Sequence, residues 1–62
     1  MLNLSLMSDK FYTPEQIAKE LQVHHLTILK FIKIGRLKGI RLGRVYRIRE
    51  SDFENFLKSS YA

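Results

Sequence analysis

Two short helices separated by a tight turn are predicted by residues 13–35, TPEQIAKELQVHHLTILKFIKIG. The first helix begins after Thr13, which is a good N-cap. Pro14 suits the first helical position, and Gln16 completes a Thr-x-x-Gln capping box. The apolar side chains that follow recur on one helical face, at Ile17, Ala18 and Leu21. We therefore expect a short helix over residues 14–21.

A second helix is expected over residues 25–34. Gly35 follows it, in the position where a left-handed backbone favours glycine. The buried stripe of this helix is expected to consist of Ile28, Phe31 and Ile32. Residues 22–24 form the turn between the two helices, and we expect Val23 to point inward. Two helices joined by such a short connection form a helix-turn-helix motif.

A β-hairpin is expected around Gly43, after a connector that turns Leu37 inward. A two-residue turn at Gly43 and Arg44 would set Leu42 opposite Val45. A three-residue turn that includes Val45 gathers the apolar side chains on one face, with Ile40, Leu42, Tyr46 and Ile48 on that face and Arg41 and Arg47 on the other. Because strand register follows the face that must be buried, we expect the three-residue turn.

A third helix is expected to begin near Glu50. Acidic side chains lie at its start, where the helix dipole favours negative charge, at Glu50, Asp52 and Glu54. Its apolar stripe consists of Phe53, Phe56 and Leu57. The order helix, turn, helix, hairpin, helix predicts one mainly α-helical domain over residues 11–62. Residues 1–10 are expected to be a flexible N-terminal lead-in.

Length and composition exclude several classes of protein. A chain of 62 residues forms one small domain with a marginal core, and the absence of cysteine excludes disulfides and thiolate metal sites. The two histidines, His24 and His25, are neighbours that project about 100° apart on a helix and do not converge on a metal. No catalytic serine arrangement, phosphate loop or membrane-spanning stretch is evident. We expect no enzyme activity, cofactor, metal or membrane partner, and a cytoplasmic location.

The positive charge is concentrated in one part of the chain. Eight of the eleven Lys and Arg residues lie within residues 30–49, and this segment contains no Asp or Glu. A basic segment beside a slightly acidic body favours a polyanionic partner, chiefly nucleic acid. The alternative is a solvated face that keeps a small domain in solution.

Two surfaces carry this charge. The outer face of the second helix presents Leu26, Leu29, Lys30 and Lys33. Its leucines either contact thymine methyl groups or pack on another protein or on the hairpin. The hairpin presents Arg41, Arg44 and Arg47, which either reach phosphates and a narrow minor groove or only protect a sheet edge from aggregation. Beside a helix-turn-helix motif, we favour contact with a groove of nucleic acid.

The order and spacing of several short segments carry a family resemblance. They are residues 12–21 (YTPEQIAKEL), 27–28 (TI), 31–32 (FI), 35–38 (GRLK), 40–48 (IRLGRVYRI), 50–53 (ESDF) and 56–57 (FL). Together they resemble the small excisionase-type DNA-binding domains, which are similar to the winged helix of MerR-type regulators. The resemblance implies a winged helix-turn-helix fold, with the second helix in the major groove and the hairpin on the DNA backbone or in the minor groove.

Some residues depart from the pattern of that family. Gln22 stands where the family often has Gly or Asn, and His24 stands where it often has Ser or Thr. Leu26 takes the place of a polar or basic residue, Phe31 that of a common Trp, and Arg49 that of a common Pro. We expect these departures to leave the fold in place and to change the base specificity, because groove-facing residues such as Leu26 are altered.

We therefore expect a winged helix-turn-helix domain that binds double-stranded DNA, as a monomer or a weakly associating chain. Phosphate contacts are expected from Lys30, Lys33, Arg36, Arg41 and Arg47, base contacts from His25, Leu26, Leu29 and Lys30, and a wing-tip contact from Arg44. The resemblance favours an excisionase, which bends or coats attachment-site DNA and directs an integrase. The alternatives are a transcriptional regulator of a phage or mobile element, and a protein-interaction module that uses Leu26, Leu29 and the N-terminal leucines.

Overall fold

Three helices and a small three-stranded sheet make up residues 10–61, which the computed structural model describes. In chain order the elements are β1 (Phe11–Tyr12), α1 (Pro14–Leu21), α2 (His25–Lys33), β2 (Ile40–Leu42), β3 (Val45–Arg49) and α3 (Glu50–Ser60). The prediction of a mainly helical fold with a β-hairpin is confirmed, and the arrangement is compatible with a winged helix-turn-helix. The expected lead-in lies outside the described residues, apart from Lys10.

Helix α1 begins as its sequence predicts, but its C-terminal end is less usual. Thr13 Oγ1 accepts from the Gln16 N–H at 3.0 Å, and Gln16 Oε1 accepts from the Thr13 N–H at 2.8 Å, which confirms the capping box. At the other end Gln22 is left-handed, with φ 56°, and the Val23 N–H donates to the Ala18 carbonyl at 2.9 Å. This bond is typical of a Schellman motif. The reversal leaves Val23 41% exposed, so the prediction that it points inward is wrong.

Helix α2 is capped by a histidine. His24 precedes the helix in an extended conformation, and its ring Nδ1 accepts from the Leu26 N–H at 3.1 Å. The imidazole thus takes the role that Ser or Thr side chains usually have. The helix ends one residue before its predicted end, and Gly35 follows with φ 83°, which confirms the predicted role of this glycine. The Arg36 N–H completes the turn by donating to the Phe31 carbonyl at 2.9 Å.

The sheet is antiparallel, with the strand order β1-β3-β2. Strand β1 pairs with the end of β3, where Phe11 lies opposite Arg49 and Tyr12 lies opposite Ile48. The sequence does not predict this third strand, because two residues are too few to show an alternating pattern.

The hairpin between β2 and β3 has a two-residue turn, so the predicted three-residue turn is wrong. Leu42 pairs with Val45, and Arg41 pairs with Tyr46. Gly43 is the first of the two turn residues and has φ 64°, as expected for a type II′ turn. The turn geometry of Gly43 therefore sets the register of the strands.

The observed register also changes which residues share a face of the hairpin. One face carries Ile40, Leu42, Val45 and Arg47, and the other carries Arg41, Tyr46 and Ile48. Burial does not select the register at the tip, because Leu42 and Val45 remain 56% and 45% exposed. Only near α3 does the core bury a strand residue completely, and that residue is Ile48.

The core lies where the three helices meet β3 and the connector. Its buried apolar residues are Ile17, Ala18, Ile28, Leu37, Ile48 and Phe56. Leu37 is 1% exposed, which confirms its predicted inward direction. Aromatic rings pack around this centre, with the ring centres of Phe31 and Phe56 5.4 Å apart and those of Tyr12 and Phe53 5.9 Å apart. The apolar stripe of α2 is thereby used for packing, and its opposite face is left outside.

Two side-chain interactions hold the start of α3 to the sheet. The Tyr12 hydroxyl donates to Glu50 Oε2 at 3.2 Å, and Arg49 Nε donates to Asp52 Oδ2 at 3.0 Å. Desolvation, and next the hydrogen bond to the Glu50 carboxylate, raise the pKa of Tyr12 above its ordinary value of 10.0. The phenol is therefore favoured in its protonated form in the folded protein.

Candidate nucleic-acid interface

A groove of about 230 Å³ separates α2 from the hairpin. We call residues 40–49 the wing and this cavity the α2–wing groove. Its lining consists of Pro14 and Glu15 from α1, Leu29 and Lys33 from α2, and Arg44, Val45, Tyr46 and Arg47 from the wing. Within the described part of the chain, the lining thus combines three basic side chains with one acidic side chain. Cations from two separate segments of the chain meet at one concave surface.

Four of the predicted contact residues line this groove together, namely Leu29, Lys33, Arg44 and Arg47. Leu29 and Lys33 lie one turn apart on α2, so they project from the same side of the helix. That side faces the wing because Ile28, on the neighbouring stripe, is fully buried in the core. Arg44 follows the glycine of the hairpin turn, and Arg47 lies three residues farther along the chain. The core and the turn therefore position the two halves of the groove.

The predicted contacts His25, Leu26 and Lys30 belong to α2 but not to the groove lining. Leu26 is 59% exposed, Lys30 is exposed and His25 is half-buried. The rings of His24 and His25 stack, with centres 4.6 Å apart and planes 26° apart. These residues extend the outward face of α2 beyond the α2–wing groove.

Three of the four wing arginines are predicted contacts, and they differ in how the domain holds them. Arg41 Nε donates to the Gly43 carbonyl at 3.0 Å, and its guanidinium lies 5.9 Å from the centre of the Tyr46 ring. Arg47 Nη1 donates to the Tyr46 carbonyl at 2.7 Å. Arg44 is exposed and makes no hydrogen bond, ion pair or ring contact within residues 10–61. All of its guanidinium donors therefore remain available to a ligand.

Arg36 lies on a different surface from the other predicted contacts. It lines, together with Lys38, a second groove of about 330 Å³ beside α3. Its guanidinium lies 5.4 Å from the centre of the Phe31 ring, within the range of a cation–π interaction. Arg36 is thus separated from the place where Lys33 and Arg44 meet.

A comparison with protein families assigns the chain. The family model described as the helix-turn-helix domain matches residues 11–61, which include every helix and strand described above. The chain belongs to this family. Searches of curated proteins and of solved structures gave no match. Membership of the helix-turn-helix family indicates DNA as a partner of the domain.

Sequence patterns of the helix-turn-helix domain do not reveal every residue of its groove. Pro14, Glu15, Val45 and Tyr46 line the groove without being predicted to do so. The sequence indicates for Glu15 only a favourable charge at the start of α1. Its place near the wing depends on the packing of α1 in the core, where Ile17 and Ala18 lie with Ile48 of β3, and no local pattern signals this packing.

Two further findings concern residues 10–61 of the helix-turn-helix domain. None of the helices in this range is long and apolar enough to cross a membrane. No group of three or more His, Cys, Asp or Glu side chains in this range is placed to hold a metal ion. What the groove offers is guanidinium and ammonium donors, which bind phosphate through charge-assisted hydrogen bonds.

Proposed function

We propose that this helix-turn-helix domain binds double-stranded DNA through the outward face of α2 and the α2–wing groove. The observation that carries the proposal is the meeting of Lys33, Arg44 and Arg47 at one concave surface. The major groove of B-DNA admits an α-helix, so α2 enters it with its outward face. The wing then lies against the DNA backbone or in the adjacent minor groove.

Two kinds of contact divide the work in this proposal. Phosphates are attracted, irrespective of sequence, by Lys30, Lys33, Arg36, Arg41 and Arg47. Base edges are met by His25, Leu26, Leu29 and Lys30, with Arg44 directed to the minor groove. Because Arg36 lines a separate groove, its contact requires the DNA to follow the protein beyond the α2–wing groove.

The salt dependence of binding to a short duplex tests this function. If about four to six phosphates are contacted, log affinity against log salt concentration has a slope of about −4 to −5. The affinity is measured by fluorescence anisotropy over a series of salt concentrations. A protein that binds no duplex at low salt, or one whose affinity ignores salt, would contradict the proposal.

Within this function we propose the role of an excisionase, which bends or coats attachment-site DNA and directs an integrase. The resemblance of residues 12–21 and 40–48 to excisionase-type domains supports this role. Footprinting on DNA that flanks the gene would locate the site, and gel mobility of duplexes with the site at the centre or the end would measure bending. An excision reaction with the integrase of the same element should require the protein. An effect on a nearby promoter without any effect on excision would favour a transcriptional regulator.

The exposure of Leu26 favours a second candidate, contact with another protein. If Leu26 meets a thymine methyl group, Leu26→Ser changes the preferred base at one position, by about 1 kcal/mol. Binding-site selection with both proteins measures that preference. The alternative outcome is a loss of self-association in sedimentation experiments with duplex affinity unchanged, and it would make α2 a protein-interaction surface.

A further inference from the structure

Among residues 10–61, Glu15 is the one acidic residue in the lining of the α2–wing groove. We infer that it is a specificity-determining residue, which weakens binding to DNA that lacks the preferred sequence. The inference rests on the proposed function, because it assigns a role within the same surface. Glu15 is exposed, and it shares the groove with Lys33, Arg44 and Arg47.

The carboxylate of Glu15 is not neutralised by the cations around it. Glu15 forms no salt bridge with a groove cation. Among the described residues, the salt bridge that is present lies elsewhere, between Arg49 and Asp52. Among the described residues, a ligand that enters the groove therefore meets three basic side chains and a carboxylate that is not paired with any of them.

This arrangement acts differently on phosphates and on bases. A phosphate near Glu15 is repelled in every duplex, because the backbone is the same for all sequences. A base amino group, such as cytosine N4 or adenine N6, instead donates a hydrogen bond to a carboxylate. In a duplex whose sequence presents such a group at Glu15, this hydrogen bond offsets the unfavourable free energy of the repulsion. Specificity arises here because the wrong sequences are penalised.

Glu15 also lies in the first turn of α1, where negative charge stabilises a helix. That role affects the stability of the domain and leaves its preference among duplexes unchanged. A matched control is available on the same helix, because Glu20 is an exposed carboxylate that does not line the groove. Glu15→Gln and Glu20→Gln therefore change the net charge equally at two different places.

The test compares both variants on two duplexes, one of mixed sequence and one selected from a random pool for tight binding. We expect Glu15→Gln to bind the mixed duplex about fivefold more tightly at low salt, the size of one screened pair of charges. The selected duplex should gain less, so the ratio of the two affinities falls. Glu20→Gln should change either affinity less than about twofold, and the excess for Glu15→Gln should vanish at high salt.

Equal gains for the two variants would overturn the inference, because net charge alone would then explain them. Equal gains on both duplexes, or no gain for Glu15→Gln, would also overturn it. Glu15→Asp keeps the charge and should keep the wild-type ratio, and thermal melting checks that each variant is folded. If the wild-type protein binds no duplex, the proposed function itself fails. If it binds with the expected salt dependence while the two variants behave alike, only the role of Glu15 fails.

Discussion

The base and the tip of the wing differ in what fixes them. At the base, Ile48 is fully buried in the core and pairs with Tyr12 of β1. At the tip, Val45 is 45% exposed, and the Arg44 side chain makes no hydrogen bond, ion pair or ring contact within residues 10–61. Ile48, which the core holds in place, and Arg44, which follows the turn at Gly43, are thus only four positions apart in the chain.

This difference separates stability from binding. The base belongs to the core. A small domain buries little apolar area, so the loss of a core side chain removes a large part of its stability. The tip buries little and is free to carry charge toward a ligand. Substitutions at the base should therefore act on folding, and those at the tip or across the groove on DNA affinity.

The largest expected effect is at the base. Ile48→Ala removes a fully buried side chain and should lower the free energy of unfolding by about 2–4 kcal/mol, since it leaves a cavity in the core. Urea denaturation measures the change. Val45→Ala, at the exposed tip of the same strand, is the control and should cost less than about 1 kcal/mol. Similar losses for the two variants would remove the distinction between base and tip.

On the outward face of α2, Lys30→Ala, outside the α2–wing groove, and Lys33→Ala, within its lining, should both weaken DNA binding and leave folding unchanged. Each lost phosphate contact should reduce the magnitude of the salt slope by about 1. Lys58→Ala, an exposed lysine at the end of α3, provides the control for a lost charge. Duplex titrations at several salt concentrations give both quantities. If Lys58→Ala reduces affinity as much as the α2 variants, the face of α2 has no special role in binding.

The tip itself should show the next effect. A narrow A·T-rich minor groove concentrates negative potential and attracts an inserted arginine. Arg44→Ala should therefore weaken binding most on a duplex with A·T-rich flanks, by about 1 kcal/mol, and should hardly change the melting temperature. Affinities on matched duplexes with A·T and G·C flanks measure the effect.

Two other outcomes for Arg44→Ala would sharpen the comparison. An equal loss on both flanks leaves only a general phosphate contact at the tip. No loss on either flank means that the wing is a structural edge and that α2 alone contacts the DNA.

The smallest expected effect is on the pH dependence of stability and concerns Tyr12, which pairs with Ile48 at the base of the wing. Its pKa is raised in the folded protein, so folding favours the protonated phenol. The resulting stabilisation is complete below the pKa of the unfolded chain and is lost as the pH rises through the folded pKa. Tyr12→Phe should therefore lose less stability than the wild-type protein when the pH rises above about 10. Thermal melting at neutral and alkaline pH tests this, and parallel losses for the two proteins would contradict it.

Local patterns predict most of this fold. The capping box at Thr13 and the glycine after α2 act through neighbours in the chain, and both are confirmed. The start of α3 at Glu50 is likewise predicted by its acidic first turn. Interactions over a few residues are fully contained in the sequence of those residues, so they need no knowledge of the rest of the domain.

The errors arise where the rest of the domain decides. The prediction for the wing assumes that burial selects its register, but the tip extends beyond the core and Gly43 selects it instead. The position of Glu15 in the groove depends on how α1 packs in the core through Ile17 and Ala18, which the local sequence around Glu15 does not contain. For the candidate site, the sequence therefore gives the basic residues but not the acidic one beside them.

The turn between α1 and α2 holds a glutamine at φ 56° and ψ 46°, in the left-handed region. A side chain with a Cβ atom costs about 1 kcal/mol or more in that region, whereas glycine adopts it freely. Gln22 is exposed and belongs neither to the core nor to the α2–wing groove. Replacing Gln22 by glycine should therefore stabilise the domain without changing its core or the α2–wing groove. A lineage that acquires glycine there can accept a destabilising change in the α2–wing groove without net loss of stability, so this one turn influences how freely that groove evolves.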